Sequence, residues 1–291
     1  MLRLRLRDHG WDLGEQIGKG SNSNVYKCSR TPGSKVEAPH LTHTSYACKV
    51  VDIRGLRLQP NYQYKKQRIH EEVSIMKMTS HGNIIQLLDD FEVQNTVFLI
   101  MELFEGEELY DLILRKKRLD EDTARTIFRQ VVDAVAYLHS NKIIHRDLKP
   151  ENILVNPETL QIKLIDFGLS KVISQSMAKT FVGTPEYFAP EIQPHQAESS
   201  IPAPAGVPLA PTAYDCAADC WSLGIILYVM LMGNFPSFYN KVASPRSPAL
   251  PSPDVSRALA RHATSDSDMS DAPPEFTAVV AKVWRSLTTP I

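Results

Sequence analysis

"IIHRDLKPENILV" (Ile143–Val155) places five ionisable side chains, His145, Arg146, Asp147, Lys149 and Glu151, between two short blocks of Ile, Leu and Val. The flanking residues favour burial; the middle does not. Such a pattern fits a surface loop between two buried strands. It also fits an active-site loop held rigid by apolar anchors at both ends. The rest of the chain decides between them.

With 291 residues and 43% hydrophobic composition, the chain can build a real core, in one large domain or in two lobes. A formal net charge of -1 provides no global basic field, so nucleic-acid binding has no electrostatic support. The four cysteines, Cys28, Cys48, Cys216 and Cys220, are too sparse for a disulfide framework. Cys216 and Cys220 stand at i,i+4 without the histidines of a zinc site. Free thiols in a reducing, cytoplasmic or nuclear setting are expected. The longest uncharged apolar run, "CWSLGIILYVMLMGNF" (Cys220–Phe235), falls short of the ~18–20 residues that span a bilayer. A buried core helix is expected there, and no membrane partner. "MLRLRLR" at the start alternates apolar and basic residues with no apolar region behind it. That excludes a secretory signal and suggests a first strand or the stump of a longer protein.

Strands are expected at "WDLGEQIG", "NVYKCS", "YACKVV", "IIQLLDDFE" and "TVFLIMEL", with one helix near Gln67–Thr79. From Leu109 the pattern turns helical. "DEDTARTIFRQVVDAVAYLHS" aligns Ala124, Ile127, Phe128, Val131, Val135 and Leu138 on one stripe, with Asp120 as its cap. The pattern divides into a strand-rich lobe, residues 11–104, and a helical lobe, residues 105–240, with a cleft expected between them. Loop composition marks an insertion at about 30–45, and a Pro- and Ala-rich tract marks a disordered one at about 193–212. Residues 241–291 form a low-complexity tail ending in an amphipathic segment with Phe276, Val279, Val280, Val283, Trp284 and Leu287 at helical spacing.

Five short patterns recur in order. "GKGSNSNV" (Gly18–Val25) lies between two strands, where glycines let backbone N–H groups approach phosphates; Ser23 stands where a third glycine would complete the motif. Lys49 sits inside the apolar strand "YACKVV", where it can hold phosphates if a carboxylate fixes it. Glu72 is the natural partner and Glu71 the alternate. In "HRDLKPEN" Asp147 can accept a proton and Lys149 can neutralise a transferring phosphate. Asn152 and, in "DFG", Asp166 supply hard oxygen ligands suited to magnesium. "GTPEYFAPE" (Gly183–Glu191) closes the segment that opens at Asp166.

Together these motifs resemble the eukaryotic protein kinases, over about Trp11 to Phe238. The resemblance implies an α+β bilobal fold with a small antiparallel N-lobe sheet and one helix, and a mainly helical C-lobe that is incomplete or diverged after residue 240. It implies ATP and Mg²⁺ as cofactors and transfer of the γ-phosphate to Ser/Thr hydroxyls of proteins. By position, Lys49 and Glu72 would grip the α- and β-phosphates, Asp147 would deprotonate the acceptor, and Lys149 would steady the γ-phosphate. Asn152 and Asp166 would hold the metal. Ile17, Gly18, Lys19, Gly20 and Val25 would cover the nucleotide. Ala47, the gatekeeper Met101 and the backbone of Glu102 and Leu103 would line the adenine pocket.

"DLKPEN" resembles the Ser/Thr-specific kinases, and "EGEELYDLI" with "CWSLGIILYVML" the calmodulin-dependent-kinase group. "GLSKVISQSMAKTFVGTPEY" is most similar to the checkpoint kinases that carry a forkhead-associated domain. Glu108 and Glu151, lining both the nucleotide and peptide sides, would hold an arginine upstream of the acceptor. Thr184 would support the peptide through its hydroxyl contact to the catalytic loop. Thr180 would be the activation-loop phosphosite, facing Arg146, Lys171 and Arg68, and served by an upstream kinase or by trans-autophosphorylation. No arginine with supporting context pairs Glu191. The alternative function is a pseudokinase or truncated kinase acting as a nucleotide-binding scaffold.

Overall fold

The computed structural model describes residues 6–20, 23–32, 44–56, 62–172, 184, 187 and 216–236. The chain divides into two compact units, Met1–Glu105 and Gly106–Ile291.

The first unit is a five-stranded antiparallel sheet in the order β1-β2-β3-β5-β4. Its strands are β1 (Trp11–Lys19), β2 (Ser23–Arg30), β3 (Tyr46–Asp52), β4 (Leu87–Val93) and β5 (Thr96–Glu102). β3 and β5 are buried along nearly their whole length, which suits their Val, Ile, Leu and Phe content. A cluster of Leu6, Trp11, Cys28, Tyr46, Cys48, Val50, Phe98 and Ile100 packs on one face of this sheet. Trp11 meets Tyr46 edge-on, with ring centroids 5.2 Å apart. The expected first strand in "MLRLRLR" does not form among its described residues. Leu6, Arg7 and Asp8 are helical, which buries Leu6 in the Trp11 cluster and leaves Arg7 outside to pair with Asp12.

After the single turn α1 (Ile53–Leu56), helix α2 runs Tyr62–Met78. It starts five residues before the expected Gln67, because Tyr62, Gln63, Lys65 and Lys66 extend a helix without adding apolar periodicity. Val73, Ile75 and Met76 are its buried apolar positions.

The second unit opens with β6 (Glu107–Glu108), α3 (Leu109–Lys116) and α4 (Glu121–Ser140). Asp120 caps α4 by accepting from the Thr123 N–H at 2.9 Å, as the sequence predicts. The stripe from Ala124 to Leu138 is buried, joined by Ala134. Short strands β7 (Ile143–Ile144), β8 (Ile153–Val155), β9 (Ile162–Leu164) and β10 (Lys171–Val172) flank the charged stretch. β6-β8-β9 form one sheet and β10-β7 another. So Ile143 and Ile144 before the loop, and Ile153 to Val155 after it, are each fixed in a ladder. Helix α5 (Cys216–Met232) is buried at Ala218, Asp219 and every position from Trp221 to Met230, the core helix expected there. No described helix is long and apolar enough to cross a membrane. The insertions at about 30–45 and 193–212, the tail and its amphipathic segment fall wholly or mainly outside the described residues.

Candidate active site

In the first unit, Lys49 Nζ donates to Glu72 Oε1 at 2.6 Å, with both side chains largely buried. β3 fixes the lysine and α2 the glutamate. A buried cation requires such a carboxylate, because either charge alone would be strongly disfavoured. Glu71, the alternate, instead pairs with Arg68 one turn earlier. Arg68 therefore stands in an i,i+3 ion pair rather than as an open cation.

Gly18 pairs with Val25 across β1 and β2, and the Gly20 N–H donates to the Ser23 carbonyl at 2.7 Å. A Cβ on Gly20 would lie 2.9 Å from the Ser23 hydroxyl, which would have to turn aside to admit it. Ile17 is left 47% exposed on this hairpin and Lys19 is also exposed. Ala47 faces Met101 in register, and both are buried. At Glu102 the N–H donates to the Gln86 carbonyl and the carboxylate accepts from the Gln86 N–H, so the backbone carbonyl is its group for a purine edge. Leu103 follows the strand end in irregular backbone.

In the second unit, Asp147 is the centre of a network. Its Oδ1 accepts from the Thr184 hydroxyl at 2.7 Å, and its Oδ2 from Lys149 Nζ at 2.9 Å and Asn152 Nδ2 at 3.1 Å. Lys149 also donates to Thr184 Oγ1 at 2.8 Å. The Asn152 amide additionally donates to the Asp147 carbonyl at 2.8 Å. With the amide nitrogen held on Asp147, the Asn152 oxygen is the group left for a cation.

Asp166 adopts φ 64° and Arg146 φ 68°, left-handed conformations that cost a non-glycine residue on the order of 1 kcal/mol or more. The surrounding bonds hold both. Arg146 Nε donates to the Leu169 carbonyl at 2.6 Å, the Ile165 N–H to the Asn152 carbonyl at 2.9 Å, and the Ser170 hydroxyl to the His145 carbonyl at 3.2 Å. Lys171 pairs with Ile144 between β10 and β7. Asn152 and Asp166 together offer an amide and a carboxylate oxygen, the hard donors that Mg²⁺ takes alongside phosphate and water. The donor chemistry fits the ion.

His145 is fully buried, and burial pushes its imidazole below the ordinary histidine range. It stays neutral, with Nδ1 facing the Asp147 N–H and its ring 5.3 Å from Phe167. Glu108 lies beside Asp111 and Glu151; burial first, and then those two charges, raise its carboxyl above the usual range. Thr180 and Glu191 lie outside the described residues.

One residue escaped the sequence reading. Asp219, buried in α5, accepts the backbone N–H groups of His145 and Arg146, each at 2.9 Å, and meets His139 Nε2 at 2.8 Å. It holds the charged loop by its main chain. The signal was available: a carboxylate at the edge of a long apolar run needs donors when that run is buried.

The chain matches the family model described as "Protein kinase domain" over residues 11–247. It is 39% identical over 231 residues to "Probable serine/threonine-protein kinase fhkE" of Dictyostelium discoideum, covering 78% of this chain and 29% of that one. It is 34% identical over 233 residues to "Calcium/calmodulin-dependent protein kinase type 1" of Caenorhabditis elegans, covering 79% and 58%. It is 36% identical over 230 residues to human "Death-associated protein kinase 2", covering 78% and 55%. The chain thus spans between 29% and 58% of the length of these relatives. The sheet with its Lys49–Glu72 pair, the Asp147 network and this match over most of the chain lead to one assignment: the chain belongs to the protein kinase domain family.

Proposed function

We propose that this chain is an ATP-dependent serine/threonine protein kinase that transfers the γ-phosphate of Mg-ATP to protein hydroxyls. The observation that carries this reading is the Asp147 carboxylate, held by Thr184, Lys149 and Asn152 where an acceptor hydroxyl needs a base. Ile17, Gly18, Lys19, Gly20 and Val25 would cover the nucleotide, and Lys49, positioned by Glu72, would hold its phosphates. Ala47, Met101, Glu102 and Leu103 would line the base. Asn152 and Asp166 would hold Mg²⁺, which supplies charge neutralisation at the phosphates. The protein's own share is positioning and electrostatics.

The test is a thermal shift. Mg-ATP at ~100 times its Kd should stabilise the folded chain by about 2.7 kcal/mol, seen as a rise in Tm. Lys49→Met and Asp166→Ala should each abolish the rise. A wild-type chain that shows no shift at saturating Mg-ATP would refute the nucleotide reading.

Substrates with an arginine two or three residues before the acceptor fit the acidic cluster at Glu108. Glu151 adds to it: its Oε2 is buried with no hydrogen-bond partner among the described residues, and a guanidinium would satisfy it. Glu108→Gln with Glu151→Gln should raise KM for such peptides roughly tenfold or more and flatten their advantage over arginine-free peptides. Unchanged selectivity in a peptide-library profile would remove this assignment. In regulation, phosphate at Thr180, added by an upstream kinase or in trans, would engage Arg146, Lys171 and Arg68 and order the segment after Asp166. Within the calmodulin-dependent-kinase group, the likeness of Gly168–Tyr187 to the forkhead-associated checkpoint kinases supports a position beside that branch.

A further inference from the structure

Helix α3 carries opposite charge at its two ends. Glu108 and Asp111 stand at its start, and the exposed run Arg115–Lys116–Lys117–Arg118 closes it. The acids near the basic end are already engaged. Asp120 caps α4 through Thr123, and Glu121 and Asp122 pair with Arg125. Arg115 turns back to Glu107. Lys116, Lys117 and Arg118 make no ion pair among the described residues.

The helix dipole favours cations in the last turn, which accounts for Arg115 and Lys116 but not for Lys117 and Arg118 beyond it. The turn is also firmly placed. Lys117 takes φ 66°, its carbonyl lies 1.8 Å from where a Cβ on Gly233 would sit, and the Leu119 N–H donates to the Met230 carbonyl at 2.7 Å. Three cations are thus presented to solvent on a fixed scaffold at the end of the helix that begins with the arginine-binding acids.

We infer that this basic turn selects an acidic segment of the peptide substrate, upstream of the arginine held by Glu108 and Glu151; the inference rests on the substrate reading above. The spacing follows from geometry. From Glu108 to Lys116 the helix rises about 12 Å, and an extended peptide covers that in roughly four residues. With arginine three residues before the acceptor, the acids fall about seven residues before it. The favoured substrate is dipolar: acidic, then basic, then Ser or Thr. Exposed charge complementarity of this kind acts on encounter and KM rather than on kcat, and salt screens it.

The test uses the full chain, Mg-ATP and three peptides. All carry the same arginine and differ only in Asp-Asp, Ala-Ala or Lys-Lys about seven residues before the serine. At ~25 mM salt the Asp-Asp peptide should show a KM about three- to tenfold below Ala-Ala, and Lys-Lys a higher one, with the spread shrinking at ~300 mM. Lys116→Glu with Arg118→Glu should invert the order and leave kcat on the Ala-Ala peptide unchanged. Lys117 is left intact because of its left-handed backbone. Equal KM for all three peptides at low salt, with the arginine preference retained, overturns the inference alone. Loss of the arginine preference as well removes the substrate reading beneath it. Sedimentation with phosphatidylserine vesicles that the double variant abolishes, without any change in the peptide order, would assign the turn to membranes and also overturn it.

Discussion

Asp147→Asn should lower kcat by roughly 10²–10⁴-fold, the range associated with removing a positioned general base, while the Tm rise with Mg-ATP persists. The reason lies in the bonds around the carboxylate. One oxygen accepts from Thr184 and the other from Lys149 and Asn152. An asparagine of the same shape must turn its NH₂ toward one of these donors. If it faces Lys149 and Asn152, two donors confront a third and the lysine loses its anion. If it faces Thr184, the hydroxyl must rotate and the network opens. Either way the acceptor hydroxyl loses its base, but the Lys49–Glu72 pair in the first unit is untouched. Steady-state kinetics on a basic Ser/Thr peptide measures the first effect and the thermal shift measures the second. A kcat within tenfold of wild type would mean that Asp147 is not the base. A scaffold that binds nucleotide without transferring phosphate would show the thermal shift in both forms and turnover in neither.

How much of this was legible without coordinates differs residue by residue. The charged loop declared itself because its side chains contradict its apolar flanks, and the flanks proved to be ladder strands. Glu72 could not be separated from Glu71 by spacing alone. Adjacent residues on a helix point about 100° apart, and what decided was burial of Glu72 together with capture of Glu71 by Arg68. The start of α2 was missed because its first turn is polar, and polarity carries no periodicity. Glu102 illustrates another limit. Its sequence position suggests purine binding through the backbone, but not which backbone group is open: the N–H donates to the Gln86 carbonyl, and only the structure shows it. Long-range bookkeeping of that kind is invisible to a local motif. The left-handed backbones of Arg146 and Asp166 were hidden for the same reason, since neither residue type predicts such a conformation and tertiary bonds impose it.

Asp219 is the sharpest case, and it carries the second large expected effect. It lies seventy-odd residues beyond the loop it holds, at the edge of the apolar run beginning at Cys220. An ionised carboxylate only accepts hydrogen bonds, so it can take both loop N–H groups at once, and His139 must present its Nε2 as N–H. Asp219→Asn cannot reproduce that. Its amide oxygen replaces one acceptor, and its NH₂ is set against a second buried donor. A buried N–H left without an acceptor costs about 1–3 kcal/mol, and at about 2–4 °C per kcal/mol for a domain of this size the Tm should fall by several degrees. The larger consequence is catalytic. Asp147 follows Arg146 directly, so a slack main chain at His145 and Arg146 displaces the base, and a shift of about 1 Å can cost on the order of 10²-fold in rate. The effect should appear in kcat with little change in KM for ATP, because Lys49, proposed to hold the phosphates, is anchored by Glu72 instead. Asp219→Glu separates positioning from bulk stability. It keeps the charge and moves it by one methylene, so it should also lose kcat even where its Tm is restored. A variant with lowered Tm and full kcat at permissive temperature would show that Asp219 braces the core and does not position the catalytic loop.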